Sequence, residues 1–105
     1  ASDVYKRQVL FNSSLQIKNM KISVELTLAP LDNQYKAIIR DFIISLRKTG
    51  YNVIETPLST QIYGDYLPLM NDLTKVIENT FLNSNSIILN IKIIKGDRSD
   101  YRPNF

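Results

Sequence analysis

The chain alternates between segments with two-residue hydrophobic periodicity and segments with helical periodicity. Residues 21–29 have apolar side chains at every second position and mostly polar ones between them, which is typical of a strand buried on one face. The apolar positions are Ile22, Val24, Leu26 and Leu28. Pro30 ends this strand, and Asp32-Asn33 offers a helix start.

Two longer segments carry apolar residues at helical spacing. The first spans residues 34–48 and ends at Gly50, which adopts a left-handed conformation at little cost. The second begins at Asp65, which we expect to act as its N-cap, and is broken at residues 83–86. The apolar stripes are Tyr35, Ile38, Ile39, Phe42, Ile43 and Leu46 in the first helix, and Leu69, Met70, Leu73, Val76, Ile77, Thr80 and Phe81 in the second.

Three further strands are predicted, over residues 51–55, 58–64 and 87–95. The order βαββαβ predicts an α+β fold of ferredoxin-like type, a sandwich of one four-stranded antiparallel sheet with both helices on one face. Right-handed crossovers place the first and third strands in the centre. We expect Ile62, Leu89, Ile91 and Ile93 to face the helices together with the apolar positions of the first strand.

The second sheet face would have no helix over it and would mix polar with apolar side chains. Its residues are Lys21, Ser23, Glu25, Thr27, Ser59, Gln61, Tyr63, Ile88, Asn90, Lys92 and Ile94. We expect self-association through this face, with a polar pocket at or near the contact. The alternative is an ordinary solvated antiparallel face with scattered apolar residues.

Composition narrows the range of functions. The 105 residues, 44% of them hydrophobic, correspond to one domain, and the net charge is only +3. Histidine and cysteine are both absent, and we find no phosphate-binding loop or carboxylates paired at catalytic spacing, so we expect no enzyme, metal site or cofactor. Neither a basic stripe with interleaved aromatics nor a bilayer-length apolar run is present, so we expect neither nucleic-acid binding nor membrane insertion. The lack of cysteine fits a cytoplasmic protein.

The first nineteen residues differ in character from the rest. Residues 3–8 resemble the translation of an adapter used in preparing sequencing libraries, and Met20 stands where the first strand begins. We therefore expect residues 1–19 to be a non-native leader, residues 20–96 to form the ligand-binding domain, and residues 97–105 to be a polar, irregular tail.

One run of residues 57–66 gathers hydroxyl, amide, phenol and carboxylate groups beside the apolar core, as in a site for a small polar ligand. The candidate ligand-binding residues are Ser59, Thr60, Gln61 and Tyr63 in the third strand, Glu25 in the first, and Asn90 in the fourth.

Each candidate has a structural alternative. Thr60 either binds ligand or bonds the backbone of a turn, and Glu25 either faces ligand or pairs with Lys92. Tyr63 either stacks on a ligand ring or packs at an interface. Gly64 is expected to serve the backbone conformation.

Two segments resemble the thiamine-binding, YkoF-like family: residues 20–31, and Ser59-Thr-Gln-Ile-Tyr-Gly-Asp-Tyr66 before a helix. The resemblance covers about residues 20–95. It implies a ferredoxin-like fold, association as dimers or tetramers, and non-catalytic binding of thiamine or its hydroxymethylpyrimidine moiety in vitamin supply. The alternative function is a regulatory or scaffolding module that binds a protein partner through the open sheet face.

Overall fold

A computed structural model describes residues 20–105, so the expected leader lies outside the described residues. The elements are β1 (Lys21–Pro30), α1 (Tyr35–Lys48), β2 (Asn52–Glu55), β3 (Thr60–Asp65), α2 (Tyr66–Leu82) and β4 (Ile87–Lys95). The strands form one antiparallel sheet in the order β2-β3-β1-β4. This confirms the predicted ferredoxin-like α+β fold, with β1 and β3 at the centre.

The hydrophobic core lies between the two helices and one face of the central strands. It consists of Ile22, Val24 and Leu26 of β1, Ile62 of β3, Phe42 and Leu46 of α1, and Leu69 and Leu73 of α2. All are at most 3% exposed. Each such side chain contributes roughly 1.5–3 kcal/mol by leaving water, before conformational entropy is subtracted.

The outer strand β4 is covered less well than the sequence predicts. Ile91 and Ile93 lie opposite Leu26 and Val24 in the sheet and so face the helices as expected. They nevertheless remain 43% and 45% exposed, because the core side chains of both helices pack on the central strands. Phe81, at the end of α2, is also 44% exposed, so its predicted place in the core is wrong.

The third strand begins two residues later than predicted, because Thr56 and Ser59 close a turn. The backbone N–H of Thr56 and its hydroxyl both donate to the carbonyl oxygen of Ser59, each at 2.9 Å. Leu58 lies in this turn and is 88% exposed. The strand then continues to Asp65, one residue further than expected.

The predicted capping role of Asp65 is wrong. It stands at the N-cap of α2, but its side chain makes no capping hydrogen bond. Its carboxylate instead lies 2.8 Å from the Lys21 ammonium, and the two residues are direct neighbours across the β1–β3 pair. Opposite charges at this cross-strand position stabilise the register at the sheet end.

Gly64 serves close packing, not an unusual backbone conformation. Among the described residues only Gly50 and Gly96 have positive φ. A Cβ atom at Gly64 would lie 2.8 Å from Cδ1 of the Tyr51 ring. The Tyr51 hydroxyl donates to Asp72 Oδ2 at 2.9 Å, so the ring is held over the glycine by a contact with α2.

An ion pair joins the last turn of α1 to the end of β2. The Nε and Nη2 atoms of Arg47 each donate to a carboxylate oxygen of Glu55 at 2.6 Å. This bidentate geometry lowers the pKa of Glu55 below its ordinary value, chiefly through the hydrogen bonds from Arg47.

Candidate functional site

The open face of the sheet carries a groove of about 520 Å³. Its side-chain walls come from alternate positions of the three neighbouring strands β3, β1 and β4 and from the segment after β4. The lining side chains are Ser23, Glu25, Gln61, Tyr63, Lys92, Ile94, Arg98 and Tyr101. We call this cavity the open-face groove.

The sheet register explains how the strand residues of the groove meet. Ser23 lies between Tyr63 of β3 and Ile94 of β4. Two residues further along β1, Glu25 lies between Gln61 of β3 and Lys92 of β4. These two rows form the floor. Alternate side chains of a strand point to opposite faces. Ile22, Val24 and Leu26 of β1 therefore face the core, whereas Ser23 and Glu25 between them face the groove.

Ser23 fixes the wall of the groove that lies outside the sheet. Its side chain is buried, and its hydroxyl donates to the Gly96 carbonyl at 2.7 Å while accepting from the Arg98 N–H at 2.9 Å. Gly96 has a φ of 103°, a region that favours glycine, and its N–H donates to the Lys21 carbonyl at 2.7 Å. The chain therefore turns back after β4 and brings Arg98 and Tyr101 to the groove. The segment 97–105 has no regular secondary structure, as expected.

Glu25 has two polar partners in the structure. Its Oε2 accepts from the Ser59 hydroxyl at 3.1 Å, and its Oε1 lies 3.8 Å from the Lys92 ammonium. The side chain is still 42% exposed and lines the groove. Of the two alternatives, the pairing with Lys92 is present, and it leaves the carboxylate accessible to a ligand from the groove.

Tyr63 and Gln61 form a polar pair on β3. Tyr63 is 8% exposed, and its hydroxyl donates to Gln61 Oε1 at 2.8 Å. Burial raises the pKa of Tyr63, and the carboxylates of Asp97 and Glu25 raise it further. The phenol therefore stays neutral at physiological pH. This hydrogen bond uses the Gln61 oxygen as acceptor, and the NH₂ group of Gln61 can donate to a ligand.

The structure divides the candidate residues predicted from sequence. Glu25, Gln61 and Tyr63 line the open-face groove. Thr60 instead faces the helices, is 9% exposed, and lines a separate cavity of about 200 Å³ together with Ser59.

Ser59 connects with the groove only through its hydrogen bond to Glu25. Asn90 lies opposite Thr27 on the open face, beyond the lining of the groove.

Five lining residues were not among the candidates: Ser23, Lys92, Ile94, Arg98 and Tyr101. Alternation placed the first three on the open face but did not show which positions surround a cavity. The last two depend on the chain reversal at Gly96, for which the only local signal is a glycine directly after a strand. Within residues 20–105 no three potential metal-ligating side chains of His, Cys, Asp or Glu type cluster together.

Comparison with solved structures supports the fold assignment. A protein from Streptococcus pneumoniae is 28% identical with a TM-score of 0.69, covering 74% of this chain and 89% of its own. A candidate thiamine biosynthesis/salvage protein from Thermotoga maritima is 16% identical with a TM-score of 0.65, covering 70% and 81%. A domain of unknown function, DUF77, from Bacillus cereus is 16% identical with a TM-score of 0.59, covering 80% and 78%.

No protein-family model and no curated protein matches the sequence. The structural likeness thus places the chain in the class of ferredoxin-like domains, here with a lined groove on the open sheet face. Neither helix of the described chain is long and apolar enough to cross a membrane.

Proposed function

We propose that the protein is a non-catalytic binding protein for thiamine or its hydroxymethylpyrimidine moiety, acting in vitamin supply in the cytoplasm. The observation that carries the proposal is the open-face groove, which combines a carboxylate, an amide and two phenols in a space of about 520 Å³. The structural likeness to a candidate thiamine biosynthesis/salvage protein supports this choice of ligand.

The polar groups of the groove complement an aminopyrimidine. The exocyclic amine of the ligand would donate to Glu25, and a ring nitrogen would accept from the NH₂ group of Gln61. Tyr101, 66% exposed at the wall of the groove, offers a ring face for stacking. Losing one such buried hydrogen bond costs about 1–3 kcal/mol, enough for these groups to determine selectivity.

The charges of the groove favour the pyrimidine moiety over intact thiamine. Lys92 and Arg98 contribute two positive charges and Glu25 one negative charge, so the lining is net positive. A thiazolium cation in the same space would be repelled, whereas a neutral hydroxymethylpyrimidine would not. We therefore propose that hydroxymethylpyrimidine binds more tightly than thiamine.

Titration calorimetry with both compounds tests the proposal. We expect saturable heat with each and a lower dissociation constant for hydroxymethylpyrimidine. Glu25→Gln should weaken binding about tenfold or more, as expected for loss of a charge-assisted hydrogen bond. Asp41→Asn, an exposed carboxylate on α1 outside the groove, is the matched control and should bind as the wild type does. Absence of heat with both compounds from folded wild-type protein would overturn the proposal.

A second candidate function is a regulatory or scaffolding module. Ile88 and Ile94 on the open face are 50% and 42% exposed, which is the kind of surface a protein partner covers. Affinity capture from a lysate, compared between wild type and an Ile88→Lys variant, tests it. A specific partner lost in the variant, with no heat from either small compound, would favour this function over vitamin binding.

A further inference from the structure

The side of α1 that faces away from the core combines a row of cations with apolar side chains. Lys36, Arg40 and Arg47 follow one another at spacings of four and seven residues, so they lie within about 40° of each other around the helix axis. All three are exposed. They line a trough of about 570 Å³, whose remaining lining residues are Ile39, Ile43 and Ile44. The helix thus presents apolar and cationic groups together on a side that no other described element covers.

The turn between β2 and β3 extends this apolar strip beyond the helix. Leu58, 88% exposed, lies in the turn and lines a second cavity together with Ile39 and Ile43, which also line the trough. The Thr56 hydroxyl accepts hydrogen bonds from the backbone N–H groups of Leu58 at 3.3 Å and of Ser59 at 3.1 Å. These bonds fix the turn and keep Leu58 in water beside the isoleucines. We call Leu58 and the residues that line the trough the α1 surface.

Positive charge predominates on and around the α1 surface. Four cations stand against two anions, an excess of two positive charges: Lys36, Arg40, Arg47 and Lys48 against Asp41 and Glu55. Arg47 is neutralised by Glu55, and Arg40 contacts its exposed neighbour Asp41 at 3.3 Å. Lys36 forms no ion pair within residues 20–105. The second helix differs, because α2 carries one lysine and two carboxylates.

We propose that the α1 surface binds an anionic phospholipid bilayer. Leu58 and the isoleucines would enter the boundary between headgroups and acyl chains, and the cations of α1 would contact the lipid phosphates. A bilayer fits a leucine that projects from a turn, because it is deformable and has an apolar interior. A short acidic peptide could pair with the cations but offers no interior in which Leu58 could be buried. Because the charge excess is small and only one side chain projects fully, we expect both contributions to be required.

The bilayer contact is peripheral and leaves the open-face groove accessible. Neither described helix is long and apolar enough to cross a membrane. The α1 helix packs on the face of the sheet opposite the groove, so an attached molecule would hold the groove toward water. Bilayer binding and ligand binding therefore do not compete. The bilayer contact goes beyond the proposed vitamin binding and does not rest on it.

A tryptophan reporter tests the contact directly, since the chain has no tryptophan of its own. The full-length Leu58→Trp protein is mixed with vesicles of phosphatidylcholine alone or with about 30% phosphatidylglycerol, which supplies the negative surface charge. With the anionic vesicles we expect a blue shift of the emission and quenching by brominated acyl chains. Leu82→Trp, at a 77% exposed position at the end of α2, is the matched control and should show neither.

Two results of this experiment would overturn the proposal. One is an unchanged emission of Leu58→Trp with anionic vesicles, or a shift of the same size in the Leu82→Trp control. The other is a shift produced by soluble polyglutamate but not by vesicles, which would assign the α1 surface to an acidic protein partner.

Vesicle co-sedimentation separates the apolar from the ionic contribution. Lys36→Gln should weaken binding to anionic vesicles about fivefold, as expected for one cation near the membrane surface. Leu58→Asn should weaken it about tenfold through the lost apolar burial. Their controls on α2, Lys75→Gln and Leu82→Asn, should bind as the wild type does. Binding should also fall with added salt, because the Debye length shortens from about 10 Å at 0.1 M to about 3 Å at 1 M.

Binding to neutral vesicles as tight as to anionic ones, or equal binding of all four variants, would contradict the bilayer contact. Circular dichroism identifies a variant that fails to fold, in which case the tryptophan experiment decides.

Discussion

The hydroxyl of Ser23, in the third position of β1, accepts a hydrogen bond from the backbone N–H of Arg98, 75 residues later, at 2.9 Å. The same hydroxyl donates to the Gly96 carbonyl. One side chain on the floor of the groove thus holds the segment that forms its outer wall. The shape of the groove therefore depends on Ser23 as much as on the residues that would touch a ligand.

Replacing Ser23 with alanine should release this segment. The Arg98 N–H and the Gly96 carbonyl would lose their shared partner, at a cost of about 1–3 kcal/mol in the free energy of unfolding. Urea denaturation measures the stability, and hydrogen exchange of the Arg98 amide measures the local release. Thr27→Ala, on the same strand face, is the control, because the Thr27 hydroxyl makes no hydrogen bond among the described residues. Equal Arg98 exchange in wild type and Ser23→Ala would contradict this role.

Gly64→Ala should destabilise the fold through the Tyr51 ring. The new methyl group would lie 2.8 Å from a ring carbon held by the hydrogen bond to Asp72, and overpacking of this kind costs about 1–3 kcal/mol. A double-mutant cycle with Tyr51→Leu, followed by urea denaturation, isolates the contact. We expect Gly64→Ala to cost clearly less in the Tyr51→Leu background. Equal costs in both backgrounds would show that the ring is not the obstacle.

The ion pair between Arg47 and Glu55 should make stability depend on acid pH. The pKa of Glu55 is lowered from its ordinary 4.5 in the folded chain, so the contribution of the pair is complete above that value and is lost as pH falls through the folded pKa. Wild type should therefore have a higher urea midpoint than Glu55→Gln at pH 7, with the difference vanishing in acid. Glu78→Gln, which lacks an ion pair among the described residues, should show no such dependence.

Stability should also fall in alkali because of two phenols, Tyr63, which is buried, and Tyr51, which is partly buried. The pKa values of Tyr51 and Tyr63 are raised above 10.0, mainly by burial and then by neighbouring carboxylates. Because the unfolded chain ionises first, their contribution is complete below pH 10 and is lost as pH rises through the folded pKa values. Ultraviolet titration should show a late phenolate phase that is smaller in Tyr51→Phe and in Tyr63→Phe. An unchanged late phase in both variants would contradict the assignment.

The fold was predictable because its signals are local. Alternation in β1 and the helical stripes around Phe42 and Leu73 fixed the elements and the face that each buries, and their order then left few topologies. Burial of the outer strand was less predictable. Alternation shows which way Ile91 and Ile93 point, but not whether a helix lies over them.

The candidate site was predictable only in part, because alternation shows which face a side chain lies on but not which positions surround a cavity. Glu25, Gln61 and Tyr63 follow from strand alternation together with the strand order. The same alternation predicts that Thr60 faces the helices, as it does, so it lines a separate cavity and does not share the groove with them. Arg98 and Tyr101 depend on a chain reversal and a hydrogen bond to a residue far away in sequence, and no local pattern carries that information.

The alternation of core and groove residues along β1 affects how ligand selectivity can change during evolution. Its even-numbered residues are committed to the interior, where a change of one methyl group is felt throughout the domain. Its odd-numbered residues lie on the open face, where Ser23 and Glu25 line the groove. Descendants of this sequence can therefore acquire new small-molecule preferences by substitutions at Glu25 and its cross-strand neighbours Gln61 and Lys92, with the hydrophobic core left intact.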